Sequence, residues 1–342
     1  MPVQLYSNRL SDDNRPTPTN LIEEQAGRGP IRIGLVNNMP EAAFKATENQ
    51  FISLLNAACD GLPIQLSLHV LRGVPMTVSY RHAASLYGNT DDLRGQRLDG
   101  LIVTGAEPTT TALQDEPYWT NFTRLLDWAR DSTASAIWSC LAAHAAVLHM
   151  DGIERRRNDA KHFGIFQCQR LSDDRLLHGT ARHLSVPHSR WNGLDEQELA
   201  VRGYNILSRT QDGGVDMFAK QETSLFVFLQ GHPEYSTDTL LREYRRDIGR
   251  FLHHDAKAYP NVPQGYFDAA TETAFSSLKR NADSMHRDQI LAQVARIMPT
   301  IQIKNTWQST AVRIYRNWLK YLCVNSSMSQ QKDTLDVSRA AC

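Results

Sequence analysis

The chain has 342 residues, 41% of them hydrophobic, enough for one large α/β domain or two ordinary ones with a full core. Lys plus Arg and Asp plus Glu both number 37, and a formal net charge of zero argues against a long-range basic field for gripping nucleic acid. No apolar run reaches the roughly 18 to 20 residues of a membrane span, and the opening MPVQLYSNRLSDDNRPTPTN lacks the basic start and apolar core of a secretory signal, so the expected location is cytoplasmic and no membrane partner is expected.

Residues 1–30 are polar from position 8 on, carry Pro16, Pro18 and Pro30, and read as an extended lead-in, with order starting at Ile31. From there short apolar runs alternate with helical patterns: IRIGLVN at 31–37, a helix over 47–58, IQLSLHVL at 64–71, LDGLIVTG at 98–105, a helix near 117–131, ASAIWSC at 134–140 and an alanine-rich helix over 141–150. Buried parallel strands joined by crossover helices have this rhythm, which predicts a doubly wound, mostly parallel α/β sheet. After Gly152 come charged turns and mixed short strands, with Gly213–Gly214 as a hairpin turn. A last apolar run, SLFVFLQG at 224–231, precedes a helix over 237–253, so the main domain is expected to span 31–255. Residues 256–323 read as a helical extension packing on it, and 324–342 as a frayed tail.

Five cysteines, Cys59, Cys140, Cys168, Cys323 and Cys342, are too scattered for a disulfide framework, and without C-x-x-C or H-x-x-x-H spacing no metal site is expected. Cys140 stands apart because it ends an apolar strand and opens a small-residue helix. At such a turn a thiol is exposed at the sheet edge, and the free N–H groups of the helix start favour thiolate and bind an oxyanion. Free cysteines are also commonly buried hydrophobes, and position alone leaves both roles open. GHPEY at 231–235 again follows a strand and precedes a helix; there His232 can carry the thiol proton while Glu234 orients the imidazole. PHSRW at 187–191 and the arginines 242, 245 and 246 are ordinary polar surface unless something else recruits them. Neither a Walker A loop nor G-x-G-x-x-G occurs, so no nucleotide or other tightly bound cofactor is expected.

With these residues in view, the chain resembles the homoserine O-succinyltransferase family of methionine biosynthesis, the branch with a class I glutamine-amidotransferase-like fold. The resemblance rests on IRIGLVNNMP (31–40), TENQFISLL (47–55), GLIVTGAEP (100–108), PYW (117–119), SCLAAHAAVLHMDGI (139–153), KHFGIF (161–166), PHSRW (187–191), GHPEYSTDTLLREYRRD (231–247) and NTWQSTAVRIYRNWLKYL (305–322), in the family's order. It implies ping-pong acyl transfer from an acyl-CoA co-substrate, through a thioester on Cys140, to an amino-acid hydroxyl. His232 is then general base and acid, Glu234 its orienter and the Leu141 N–H an oxyanion donor. By the same matches Arg246 holds the amino acid's carboxylate and Lys161 and Arg190 line the pocket, with Tyr235 and Lys45 beside it. The resemblance further suggests a homodimer, for which the apolar helix at 310–322 is a candidate contact if it is not spent on the core.

The chain departs from the family at four places. Asn38 replaces a leucine, and the segment after it is about two residues longer than usual. Thr109 occupies the position that is glycine in succinyl users and glutamate in acetyl users, which leaves succinyl-CoA and acetyl-CoA both open as donors. Phe163 stands where a small or polar residue is usual, and residues 268–300 read as an insertion. L-homoserine is the leading acceptor and L-serine the alternative. A glutamine amidotransferase-like hydrolase, and a binding module with a decayed site, are the competing classes.

Overall fold

The computed structural model describes residues 3–6, 29–75 and 87–340, so Cys342 and most of the lead-in, 7–28, lie outside the described residues. One sheet of eleven strands carries the architecture. In chain order the strands are β1 (Val3–Tyr6), β2 (Ile31–Val36), β3 (Ile64–Val70), β4 (Gly88–Asn89), β5 (Gly100–Val103), β6 (Ser135–Ser139), β7 (Arg156–Arg170), β8 (His183–Gly193), β9 (Asn205–Thr210), β10 (Val215–Gln221) and β11 (Leu225–Leu229). Their spatial order is β1-β3-β2-β5-β6-β11-β10-β9-β7-β8, with β4 beside β3. Pairings from β1 to β11 are parallel and those from β11 to β8 antiparallel.

The helices are α1 (Glu41–Ala58), α2 (Trp119–Ser132), α3 (Leu141–Asp151), α4 (Glu196–Val201), α5 (Thr239–Leu252), α6 (Ala269–Asn281), α7 (Arg287–Ile297) and α8 (Gln308–Ala340). α1 and α8 bury their apolar stripes on one sheet face, through Phe44, Phe51 and Leu55 of α1 and Tyr315, Trp318 and Leu322 of α8. α2 and α3 cover the other face with Phe122, Leu126, Ala143 and Val147. This is the doubly wound three-layer arrangement that alternating strands and helices predict. α5, α6 and α7 enclose a smaller apolar cluster against Phe163 and Ile165 of β7.

Several elements differ from expectation. β1 pairs in parallel with β3 through Val3↔Ile64, so order starts before Ile31; four residues ahead of a proline-rich polar stretch give little periodicity to read. α1 begins at Glu41 rather than near 47, because Pro40 supplies an extended N-cap and the stripe Phe44, Thr47, Phe51 starts one turn earlier. β7 and β8 are long strands of 15 and 11 residues, not short ones. Past Val324, expected to fray, the backbone of α8 continues helical to Ala340.

The helix at 310–322 is committed to the interior. Trp318 is 1% exposed and donates from Nε1 to Ser135 Oγ at 2.9 Å, and a Cβ at Gly100 of β5 would lie 2.7 Å from Leu322 and 2.9 Å from Trp318. That stripe seals the sheet and is not free to hold a second copy. No helix among the described residues is long and apolar enough to cross a membrane.

Candidate active site

β6 and β11 are neighbours in parallel register, Ser139 opposite Leu229, and both chains leave the sheet at the same edge. The Cys140 N–H still donates to Leu229 O at 2.7 Å, after which the backbone turns sharply into α3. Cys140 adopts φ 53°, ψ −114°, a positive-φ conformation that costs a cysteine about 1–3 kcal/mol. Leu141 is the first helical residue, directly after the thiol, so its N–H has no partner within α3. Gly105, just past β5, packs so closely that a Cβ there would sit 3.0 Å from Leu141 N.

From the neighbouring strand end, His232 comes within hydrogen-bond reach of the Cys140 thiol. Its Nδ1 lies 2.8 Å from Glu234 Oε1, leaving Nε2 for the sulfur. Both side chains are buried, at 7% residue exposure each. Burial is the largest influence on His232 and disfavours its cation, yet Glu234 and then Cys140 outweigh it and hold its pKa well above 6.5. The resting pair is therefore an imidazolium facing a sulfur, the arrangement of an activated cysteine nucleophile. Trp307 Nε1 donates to Tyr235 O at 2.8 Å and Tyr266 Oη to Thr237 O at 2.6 Å, so the C-terminal extension clamps the turn that carries the histidine.

Tyr235 stacks on His232 with ring centroids 4.3 Å apart, and its hydroxyl donates to Glu243 Oε1 at 2.6 Å. It thereby links the Cys140–His232 pair to a charged cluster on α5. Lys161 donates to Asp247 Oδ2 at 2.9 Å, lies 3.9 Å from Glu243 and sits 4.1 Å above the Phe163 ring. Arg246 donates to Asp247 Oδ1 from Nε and Nη2 at 3.0 and 2.8 Å. Ser189 Oγ also donates to Glu243. Lys161, Tyr235 and Arg246 are thus gathered together, and Ser189, Glu243 and Asp247 are members that the sequence reading did not single out. Phe163 is 3% exposed and forms the floor beneath Lys161.

Other expected residues make different contacts. Arg190 does not line this cluster: it is 5% exposed and donates to His188 Nδ1 at 3.1 Å, Asn192 O at 2.8 Å and Val215 O at 3.5 Å. Strand alternation puts it on the opposite face of β8 from Ser189. Lys45, at the start of α1, pairs with Glu48 and is mostly exposed. Thr109 is tied down by Glu116, which accepts from Thr109 N and Oγ1 at 2.6 and 2.9 Å and from Thr110 N and Oγ1 at 2.7 and 2.8 Å. Asn38, the departure from leucine, is fully engaged: its N–H donates to Thr104 Oγ1 at 2.7 Å, its Nδ2 donates to Thr104 O at 3.0 Å and its Oδ1 accepts from the Leu71 N–H at 3.1 Å, stapling three strand ends together.

Cys168, His188 and Asp216 present donor atoms within 4.8 Å of one another. Arg190 donates to His188 Nδ1, so the neutral ring carries its proton on Nε2 and has no lone pair left for a metal.

The profile of the homoserine O-succinyltransferase family matches residues 17–329. The homoserine O-succinyltransferase of Rhodopseudomonas palustris is 47% identical over 290 residues, covering 84% of this chain and 87% of that protein. That of Bradyrhizobium japonicum is 44% identical over 306 residues, covering 87% and 93%. Among solved structures, a glutamine amidotransferase from Thermotoga maritima aligns with TM-score 0.48 at 11% identity over 86% of this chain and 99% of its own, and one from Methylobacillus flagellatus with TM-score 0.48 at 15% identity over 85% and 94%. A profile that spans the sheet, the Cys140 turn, GHPEY and the C-terminal clamp, together with relatives above 40% identity over most of their length, places the chain in the homoserine O-succinyltransferase family.

Proposed function

We propose that the protein transfers the succinyl group of succinyl-CoA to the hydroxyl of L-homoserine through a thioester on Cys140. The Cys140 sulfur attacks the thioester carbonyl, the carbonyl oxygen becomes an oxyanion beside the Leu141 N–H, and the bond to the CoA sulfur breaks as His232 gives that sulfur its proton. His232, now neutral, takes the proton of the homoserine hydroxyl as its oxygen attacks the acyl-cysteine. Cys140 leaves as thiolate and His232 is again the cation, held by Glu234 throughout.

The observation that carries this reading is the Cys140–His232–Glu234 alignment at one sheet edge, joined through Tyr235 to a cluster of both signs. A free amino acid carries a carboxylate and an ammonium. Arg246 and Lys161 suit the first, Glu243 and Asp247 the second, and a site of one sign alone would not. The family's homodimer and a cytoplasmic location belong to the same proposal.

Free CoA released on mixing the protein with succinyl-CoA and L-homoserine tests it, with acetyl-CoA and L-serine as alternative partners. Release with succinyl-CoA and homoserine, and a succinyl adduct on Cys140 when the amino acid is withheld, is the expected result. Turnover preserved in Cys140→Ala, or no CoA release with any pair, would reject the mechanism.

A further inference from the structure

Beneath the His232 turn lies a second histidine–carboxylate pair that the acyl-transfer steps do not use. His188 of β8 is 0% exposed and Asp216 of β10 is 4% exposed. Arg190 Nε donates to His188 Nδ1 at 3.1 Å, and since a guanidinium has no lone pair, the neutral His188 ring keeps its proton on Nε2. That Nε2 lies 3.1 Å from Asp216 Oδ1, off the axis of an ideal hydrogen bond. Asp216 Oδ2 accepts from Ser208 Oγ at 2.7 Å.

The group reaches both arms of the site. Asp216 O accepts from Gln230 N at 2.9 Å, and Arg190 Nη2 and Gln230 Nε2 converge on Val215 O at 3.5 and 2.7 Å. Gln230 Oε1 is in turn 2.9 Å from Nε2 of His144, which sits on the helix that Cys140 opens. On the other arm the His232 N–H donates to Pro187 O at 2.8 Å, although β8 is the last strand of the sheet, so the antiparallel half curls back under the turn. Gly231 rests directly on the pair: a Cβ there would be 2.4 Å from Val186 Cγ1, 2.9 Å from Asp216 Oδ1 and 3.0 Å from His188 Nε2.

We propose that Arg190, His188 and Asp216 are positioning residues that set the height of the Gly231–His232 backbone against Cys140 and, by keeping His188 uncharged, leave the imidazolium charge to His232 alone. Burial draws His188 down to about 4 against the opposing pull of Asp216, with Arg190 and His232 disfavouring its cation further. A protonated His188 would oppose the cation that the reacting sulfur needs.

This inference rests on Cys140 and His232 being the reacting pair, and its first readout uses no acyl substrate, so it stands or falls apart from the acyl-transfer reading. The probe is iodoacetamide, with alkylation of Cys140 followed by peptide mass at several pH values. His188→Leu is expected to slow alkylation near neutral pH by about 10- to 100-fold, the range for losing a supporting partner. His188→Gln, which keeps an acceptor for Arg190 and a donor for Asp216, is expected to recover most of the loss. In turnover, kcat is expected to fall by the same factor with KM for both substrates within about threefold of the native value. Ser208→Ala removes only an outer hydrogen bond and covers the case in which His188→Leu does not fold; a few-fold slower alkylation is expected. Alkylation unchanged in Ser208→Ala and in folded His188→Leu, or no recovery in His188→Gln, would overturn the proposal.

Discussion

Replacing Gly105 with alanine places a Cβ 2.7 Å from Leu141 Cβ, 3.0 Å from Leu141 N and 3.2 Å from Leu141 Cα. None of these atoms is the end of a flexible side chain, so the loop after β5 and the first turn of α3 must separate by about 0.7 Å to restore ordinary contact at 3.4 Å. Overpacking of this kind costs about 1–3 kcal/mol of stability. The larger effect falls on chemistry, because the displaced group is the N–H proposed to meet the oxyanion. Loss of one such donor costs about 100- to 1,000-fold in kcat, or about 2.7–4 kcal/mol of transition-state stabilisation. The expected outcome for Gly105→Ala is therefore a few degrees of lost thermal stability, acylation by succinyl-CoA slowed by about 100-fold in single-turnover CoA release, and Cys140 alkylation by iodoacetamide close to native. Alkylation develops no oxyanion, so it isolates the donor from the nucleophile. If Gly105→Ala acylates within about threefold of the native rate, the Leu141 N–H is not the oxyanion donor and the reasoning fails.

Glu234→Gln removes the largest influence that raises the His232 pKa and leaves burial, which lowers it, so the imidazolium is lost at lower pH; the alkaline limb of the kcat/KM profile is expected to move to lower pH, with a lower maximum. Burial depresses His69 to about 4, His144 to about 3 and His188 to about 4 from 6.5, so the unfolded chain binds more protons as pH falls below 6.5 and stability declines. At pH 5 each site costs about 2 kcal/mol, and a urea midpoint at pH 5 equal to that at pH 7 would show that these rings are not held neutral. Trp318→Ala is expected to destabilise the chain by about 3–5 kcal/mol in urea unfolding, because it empties a buried site against Gly100 and strips Ser135 of a donor.

The parallel half of the sheet was legible because its strands are buried on both faces and read as continuous apolar runs, each followed by a helix. Cys140 and His232 were legible for the same reason: each ends such a run, and parallel neighbours deliver their ends to one edge. The antiparallel half was less so. β7 carries RRNDAKH before its apolar residues, a polar opening that looks like a turn until β8 pairs with it. Arg190 was placed in the pocket because a motif match carries a residue's identity but not its face. Alternation along VPHSRW held the missing signal, since with His188 turned inward Ser189 must face outward and Arg190 inward again. Glu243 and Asp247 lie three residues before and one after Arg246 on the same helix, where charges default to solvated surface until Lys161 arrives from a distant strand.

The separation of sulfur and imidazole is a consequence of strand register more than of the residues that react. Ile137 of β6 packs with Val227 and Leu229 on one face of the sheet, while Trp138 packs with Phe226 and Phe228 on the other, at 5.5 Å between the Trp138 and Phe226 rings. A slip of one residue between β6 and β11 would exchange these faces and drive the indole into the layer under α1 and α8. A slip of two keeps the faces but carries Cys140 about 7 Å along the strand, beyond any proton shared with His232. Only the observed pairing of Ser139 with Leu229 satisfies both cores at once and leaves Cys140 one residue past the sheet and His232 three past it. The two apolar layers therefore fix the separation of Cys140 and His232 before either side chain chooses a rotamer, and Gly231, with no room for a Cβ, lets the second arm settle at that height.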